Sequence, residues 1–391
     1  MNRTLNVLSF LIFASALSVQ AVNPIIPQIA AEFFILPETA ALLAAAFAAY
    51  GLTQPVLGPI ADAIGKTKVM IACLALLTVA SFLSAIVTQF WLLMVLRILA
   101  GIACGGSFPI GMAIVSDLAP LSQRQVTIGR LLTATISGNL LGAAAAGVIA
   151  DVIHWRGVFI LLGVISTAAL VVGLFGLRHV ATGPRHPLDI RSVLRRNREI
   201  LAIRNARICY LMVAFEALFM FGIFPYVAVL LLRGGEPRAS IAGLVVAAFA
   251  IGGMVYSLSV RQLLRWLGQK NIMMAGGVLG AVGLFIVAPG PSWPVQAFAF
   301  AAMGCGFYML HASIQVYVTE LAPATRSSAV AFHTFSFFVG GGISPIAYGL
   351  GLEQLGAPIT LSIAAVGIVV VGVVSAQLLV KAPPEAQPLP R

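Results

Sequence analysis

Of the twelve acidic residues in the chain, Glu216 alone falls well inside an apolar run. It lies about nine residues into the stretch 207–231, roughly 13 Å deep at the helical rise of 1.5 Å per residue. An ionised carboxylate at that depth in a bilayer is costly. The group must be protonated, paired or in contact with water, and each of these makes it a functional candidate. The chemistry that suits it is uptake and release of a proton; the alternative is a glutamate held for structural hydrogen bonding. In a later run, Tyr308, His311 and Gln315 are spaced i, i+3, i+7 and share one helix face. A histidine brought near Glu216 would stabilise its ionised form. His333, one run further on, is a weaker candidate. Glu216, His311 and His333 have no ligand spacing among them, so no metal site is expected. Arg97 is the only Lys or Arg away from the ends of a run, and no acid of the first half lies at its depth. It is read either as a structural arginine bound to helix carbonyls, or as a partner for an anionic substrate or a charge that modulates the proton site. Gln20, Asn23, Tyr50 and Gln54 are candidate polar lining. Phe219 and Tyr226 are candidate substrate contacts, with helix packing as the alternative.

The elements that must position these residues follow from composition. Apolar residues make up 60% of the chain and charged residues 9%, against about a quarter charged in soluble domains. So little polar surface cannot coat a water-soluble globule, and a bilayer removes the need for that coat. Apolar runs of about twenty residues recur, each long enough to cross a bilayer as a helix. They cover 5–27, 39–60, 69–88, 91–115, 126–150 and 157–177, then 207–231, 239–260, 272–289, 294–318, 327–350 and 358–380. The expected fold is an all-α membrane protein of about twelve transmembrane helices. The first run resembles a signal peptide in length, but the repeat described below requires it as a helix. Cys73, Cys104, Cys209 and Cys305 all lie inside runs and read as small buried side chains.

Twelve spans place both termini on one side. All Lys and Arg except Arg97, Arg156, Arg233 and Arg238 then fall on that side. This bias marks the cytoplasmic side, so cytoplasmic termini in the cell (inner) membrane are expected. It also accounts for the net charge of +11 without a nucleic-acid partner. The basic stretch 178–206 reads as a cytoplasmic linker between bundles at 1–177 and 207–391. Its piece 188–203 is amphipathic and suited to anionic headgroups; a regulatory or partner-binding role is the alternative.

The halves repeat. Gly65 in Ala63-Ile64-Gly65-Lys66 matches Gly268 in Trp266-Leu267-Gly268-Gln269. Ser116-Asp117-Leu118-Ala119-Pro120 matches Thr319-Glu320-Leu321-Ala322-Pro323. Both give an offset of 203 (268 − 65 and 319 − 116); Gly138 to Gly340, Gly147 to Gly349 and Asp151 to Glu353 give 202. The offset spans an even number of helices, so the copies run parallel. Parallel halves with a midplane site between them are a carrier architecture. At an offset of 203 the counterpart of Glu216 is Phe13.

The stretch Gly58-Pro59-Ile60-Ala61-Asp62-Ala63-Ile64-Gly65-Lys66-Thr67-Lys68 resembles the signature loop of the major facilitator superfamily. Gly58 permits close helix packing, Gly65 turns the chain, and Asp62 sits at a helix end where it can pair across to a neighbour. Lys66 and Lys68 hold the loop on the cytoplasmic side. Ala63 replaces one usual basic residue. Arg97-x-x-x-Gly101 is similar to the family's membrane arginine, and Asp117, Pro120 and Arg124 to the motif ending the same helix. Gly129, Gly138, Gly142 and Gly147 occupy the spacing of the antiporter subgroup's glycine-proline motif, with Ala143 in place of the proline. The small residues would let helices approach closely.

The resemblance implies two six-helix bundles whose first, fourth, seventh and tenth helices line a cavity. It also implies gating by Gly58, Asp62, Gly65, Lys66, Lys68, Asp117 and Arg124. The expected function is a proton-coupled carrier exporting a small organic solute, with Glu216 and His311 carrying coupling and no enzymatic activity. Uptake by symport or facilitated diffusion is the alternative. A receptor or intramembrane enzyme is the reading from a different class. No nucleotide-binding loop is present, and no cofactor is expected. The partners expected are the solute, protons and lipid, around a monomer.

Overall fold

Gly65 and Gly268 reverse the chain at equivalent points of two halves. Their φ/ψ values, 115°/126° and 70°/165°, are backbone conformations that glycine adopts at little cost. A computed structural model of the protein describes residues 2–118, 121–178, 180, 198–321 and 326–379. The first half contains α1 (Asn2–Gln20), α2 (Ile26–Glu32), α3 (Pro37–Phe47), α4 (Ala49–Leu52), α5 (Gln54–Ile64), α6 (Lys66–Ile86), α7 (Phe90–Gly105), α8 (Ser107–Leu118), α9 (Leu121–Val152) and α10 (Trp155–Gly176). The second contains α11 (Arg204–Phe221), α12 (Val227–Arg233), α13 (Ala239–Val287), α14 (Trp293–Leu321), α15 (Arg326–Gln354) and α16 (Gly356–Leu378).

Ten helices among the described residues are long and apolar enough to cross a membrane. The 49 residues of α13 would measure roughly 74 Å if straight, more than two bilayer cores. Gly268 therefore divides α13 into two crossings. The shorter apolar helix Pro37–Leu52 continues into α5 and supplies another. Twelve crossings result. The first crossing of each half is broken at a proline, by the 3-10 turns Asn23–Ile25 and Phe224–Tyr226. Proline has no N–H to continue an α-helical ladder.

Glycines show the repeat in the packing. A Cβ on Gly138 would strike the carbonyl of Phe13, and one on Gly340 the carbonyl of Ala214. Gly101 likewise lies on the carbonyl of Phe47, and Gly304 on that of Phe249. In the first helix the offset is thus 201 (214 − 13), as it is for the two 3-10 turns (224 − 23). It is 202 at the starts of α3 and α13 (239 − 37) and 203 at the glycine turns. The second half gains two residues along this stretch. The counterpart of Glu216 is therefore Ser15 (216 − 201), not the expected Phe13.

The halves meet through α9 against α13, and α15 against α3 and α4. At the end away from Lys66, Asp151 accepts hydrogen bonds from the backbone N–H of Ala239 and Ser240, both at 2.8 Å. Glu38 pairs with Arg233 at 2.8 Å beside them. At the Lys66 end, the described ion pairs lie within the first half. Asp62 was expected to reach a neighbouring helix. It lies 3.7 Å from Nζ of Lys66, the first residue of α6, and the same ammonium spans to Asp117 at 2.7 Å. Gly129 departs from its expected packing role, with open space around it. Gly138 and Gly142 lie against the backbone of α1, and Gly147 against that of α13. The side chains of Gln54 and Arg124, the surroundings of Gly58, and the linker residues 181–197 lie outside the described residues.

Candidate functional site

The sequence of α11 buries a carboxyl by placing Glu216 among Val213, Ala217 and Met220, all inside the bundle. Glu216 is 0% exposed. Its Oε2 lies 2.8 Å from Nδ1 of His311 on α14. Its Oε1 has no hydrogen-bond partner among the described residues. A carboxyl and an imidazole at this distance can hold one proton between them, and burial keeps water from dispersing the charge. His311 is fixed by aromatic contacts. Its ring stacks on Phe307 at 4.8 Å and meets the edge of Phe337 at 5.1 Å. His333 on α15 is also in ring contact with it, with centroids 4.9 Å apart.

Arg97 occupies the interior of the other half and is 2% exposed. Its Nη2 donates to the Ser18 carbonyl at 3.4 Å, its Cζ lies 4.3 Å above the Phe47 ring, and its Nε is unpartnered. Among the described residues no carboxylate pairs with it. Gly101, one turn along α7, explains the spacing of the arginine-glycine motif. A side chain there would push α3 away and lift Phe47 off the guanidinium.

A row of rings joins the two charged positions across the interface. Phe47 stacks with Tyr50 at 6.3 Å, Tyr50 meets Phe338 at 4.4 Å, Phe338 meets Phe337 at 5.3 Å, and Phe337 meets His311. Gly51 makes the crossing possible, because a Cβ there would overlap the Phe338 ring. The arrangement sets a guanidinium and a carboxyl–imidazole pair at the two ends of an apolar aromatic strip. Such a strip suits flat organic molecules through face and edge contacts.

Other candidates fall elsewhere. Gln20 accepts a hydrogen bond from Asn23 at the break after α1. Tyr308 packs on Gly253, and Gln315 is exposed further along α14. Tyr226 is fully buried and donates to the Pro345 carbonyl at 2.7 Å, so its ring belongs to packing. Phe219 stacks on Phe215 and lies over Gly367, facing α16. Sequence reasoning missed Phe47, Phe337 and Phe338. They are three among 23 phenylalanines, and the local signal that singles one out is the glycine it rests on.

The chain as a whole is similar to known proteins. A profile of the Major Facilitator Superfamily matches residues 8–345 and 243–391. The quinolone resistance protein NorA of Staphylococcus aureus (strain MRSA252) is 24% identical over 387 residues, covering 96% of each chain. Multidrug resistance protein 1 of Bacillus subtilis (strain 168) is 21% identical over 357 residues, 89% of this chain and 90% of that one. Among solved structures, a D-xylose-proton symporter superposes with a TM-score of 0.77 at 16% identity, covering 98% of both chains. A bacterial homologue of the human lysosomal transporter Spinster, in an inward-facing and occupied conformation, gives 0.70 at 16% identity, over 96% of this chain and 93% of that one.

Proposed function

Because the chain belongs to the Major Facilitator Superfamily, it is an integral membrane transporter, and we propose that it is a proton-coupled exporter of small organic molecules working by alternating access. The observation that carries this reading is the fully buried Glu216 held 2.8 Å from His311. Coupling requires a group whose charge changes as access changes. A carboxyl sharing a proton with an imidazole, at the depth of a bilayer midplane, meets that requirement. The names of the two relatives, one for quinolone and one for multidrug resistance, support export over uptake and an organic solute over an ion.

Within this reading Arg97 and the ring row from Phe47 to Phe337 receive the solute, with Tyr50 at the crossing between halves. The contacts of Asp151 and Glu38 close one end. The loop around Gly65, with Lys66 and Asp117, belongs to the end that opens toward the cytoplasm, where both termini also lie. Asp62, Lys68, Arg124 and Gly58 complete that gate. The chain acts as a monomer in the cell membrane. The test is purified protein in liposomes with an imposed pH gradient and a panel of organic dyes, quinolones and sugars. The reading requires solute to move against its gradient in the direction opposite to protons. Solute moving with the protons assigns symport instead, and movement indifferent to the gradient removes proton coupling.

A further inference from the structure

His333 is a polar side chain with no evident structural employment. It is 1% exposed on α15, and neither ring nitrogen has a hydrogen-bond partner among the described residues. A histidine kept for packing ordinarily satisfies at least one nitrogen, because an unpaired buried donor or acceptor forfeits the water it gave up. A phenylalanine would fill such a place without that cost, and α15 carries phenylalanine at 332, 335, 337 and 338. The imidazole does have one distinctive neighbour. Its ring lies 4.9 Å from that of His311, whose Nδ1 faces Glu216. Titratable residues on the elements packed against α15 are Arg204, Arg207, Cys209, Tyr210 and Glu216 on α11, Cys305, Tyr308, His311, Tyr317 and Glu320 on α14, Glu38 on α3, Tyr50 on α4 and Asp62 on α5. Of these, His311 is the one in ring contact with His333.

We propose that His333 is the second carrier of the coupled proton, receiving it from the outer nitrogen of His311 after Glu216 has passed its own proton to Nδ1. The inference rests on the proton-coupled reading above. The steps balance without any co-reactant. The Glu216 O–H bond breaks as N–H forms at Nδ1 of His311. The N–H on the second nitrogen of His311 breaks as N–H forms on His333. Glu216 is left a carboxylate and His333 an imidazolium, which releases its proton to water when its end of the bundle opens. Imidazole suits the middle position because it accepts at one nitrogen while donating from the other. The centroid distance leaves facing nitrogens within direct or one-water reach after a ring reorientation. Interconversion of the two histidine rotamers would then meter the proton.

The test needs no solute. Purified protein in liposomes is followed by infrared spectroscopy after a pH jump across roughly pH 5–8, the interval in which imidazole ordinarily titrates. The carboxyl band that disappears in Glu216→Gln reports Glu216. In His333→Gln and His333→Asn we expect that band to form and decay slower by about a hundredfold or more, the low end of what a positioned proton carrier contributes. Added imidazole should restore much of the rate in His333→Ala, which filling a packing defect with an apolar molecule of similar size, such as toluene, would not do. If the band titrates in wild type and keeps its rate in the His333 variants, His333 is not a carrier and the proton reading of Glu216 stands. If no Glu216 band titrates in wild type, both fall. Should the variants fail to fold, nitrogen-15 histidine spectra of wild type decide the matter. Protonation of His333 that follows that of His311 supports the relay, and His333 nitrogens that never change state overturn it.

Discussion

Ser15 holds in the first half the position that Glu216 holds in the second. Ser15 Oγ lies 2.7 Å from Ser107 Oγ, as Glu216 Oε2 lies 2.8 Å from His311 Nδ1. Both contacts join the first and fourth crossings of their half. The fold thus puts a polar side chain at one position of the first crossing in both halves and makes only one copy ionisable; the partners differ, since His311 corresponds to Phe108 (311 − 203), the residue after Ser107. We predict that Glu216→Gln, which imitates the protonated side chain, abolishes gradient-driven accumulation and leaves solute exchange intact. Ser15→Ala removes a hydroxyl pair worth about 1 kcal/mol and should leave the accumulation ratio unchanged. Liposome accumulation measured beside counterflow separates the two. Accumulation that persists in Glu216→Gln would return that residue to a structural role.

How much of this was legible in the chain varied with the kind of signal. Helix spans and chain reversals show in the sequence because apolar runs and Gly65 and Gly268 are local features. Glu216 stood out because depth along a run can be counted. Its counterpart could not be counted, since two residues are gained between the first helix and the glycine turn within alanine-rich sequence that disguises them. The partner of Asp117 was hidden for another reason. Lys66 and Asp62 flank the same turn, and only side-chain geometry selects the ammonium. The ring row from Phe47 to Phe337 depends on helix rotation at the interface between halves, which no single run encodes.

Arg97 is held by one long hydrogen bond and one aromatic face, so it retains donors for a solute. We predict that Arg97→Ala reduces transport by about tenfold or more, since a desolvated cation–π contact and directed hydrogen bonds are together worth about 2 kcal/mol. Arg97→Lys should recover part of the loss, because an ammonium keeps the charge without the planar fork. Initial rates across solutes of different charge check this. Equal loss for anionic and cationic solutes would indicate that Arg97 holds the helix rather than the solute.

Small residues along α9 differ in what they touch. Gly142 lies on the carbonyl of Leu17, whereas Gly129 faces open space. Gly142→Val should destabilise by about 1–3 kcal/mol through overpacking and lower the melting temperature of purified protein. Gly129→Ala should be neutral or stabilising by up to about 1 kcal/mol, as expected for alanine replacing glycine within a helix. Equal tolerance at both positions would show that the close approach of α9 to α1 is not needed.

The last prediction concerns the closed end. Asp151 accepts two backbone N–H groups at the start of α13 from the opposite half, where the helix dipole favours an anion. Its repeat counterpart, Glu353, has only half of that arrangement to make, since Glu38 in the place of Ser240 keeps its N–H. The start of α3, which matches that of α13, is Pro37 and lacks an N–H. The Glu38–Arg233 pair stands nearby instead, and Arg233 is 53% exposed. An exposed ion pair contributes about 0–1 kcal/mol, while each charge-assisted hydrogen bond contributes about 1.5–3 kcal/mol. Asp151 should therefore dominate closure. Spin labels at Ile153 and Pro237, both exposed, would report the gap between halves. Asp151→Ala should raise the ratio of open to closed molecules by about tenfold or more, tenfold being the change that the loss of about 1.4 kcal/mol, roughly one such bond, produces. Asp151→Asn, which keeps one acceptor oxygen, should fall between, and Arg233→Ala should shift the ratio less than either. If Arg233→Ala opens this end as much as Asp151→Ala does, closure rests on the ion pair and not on the capped helix.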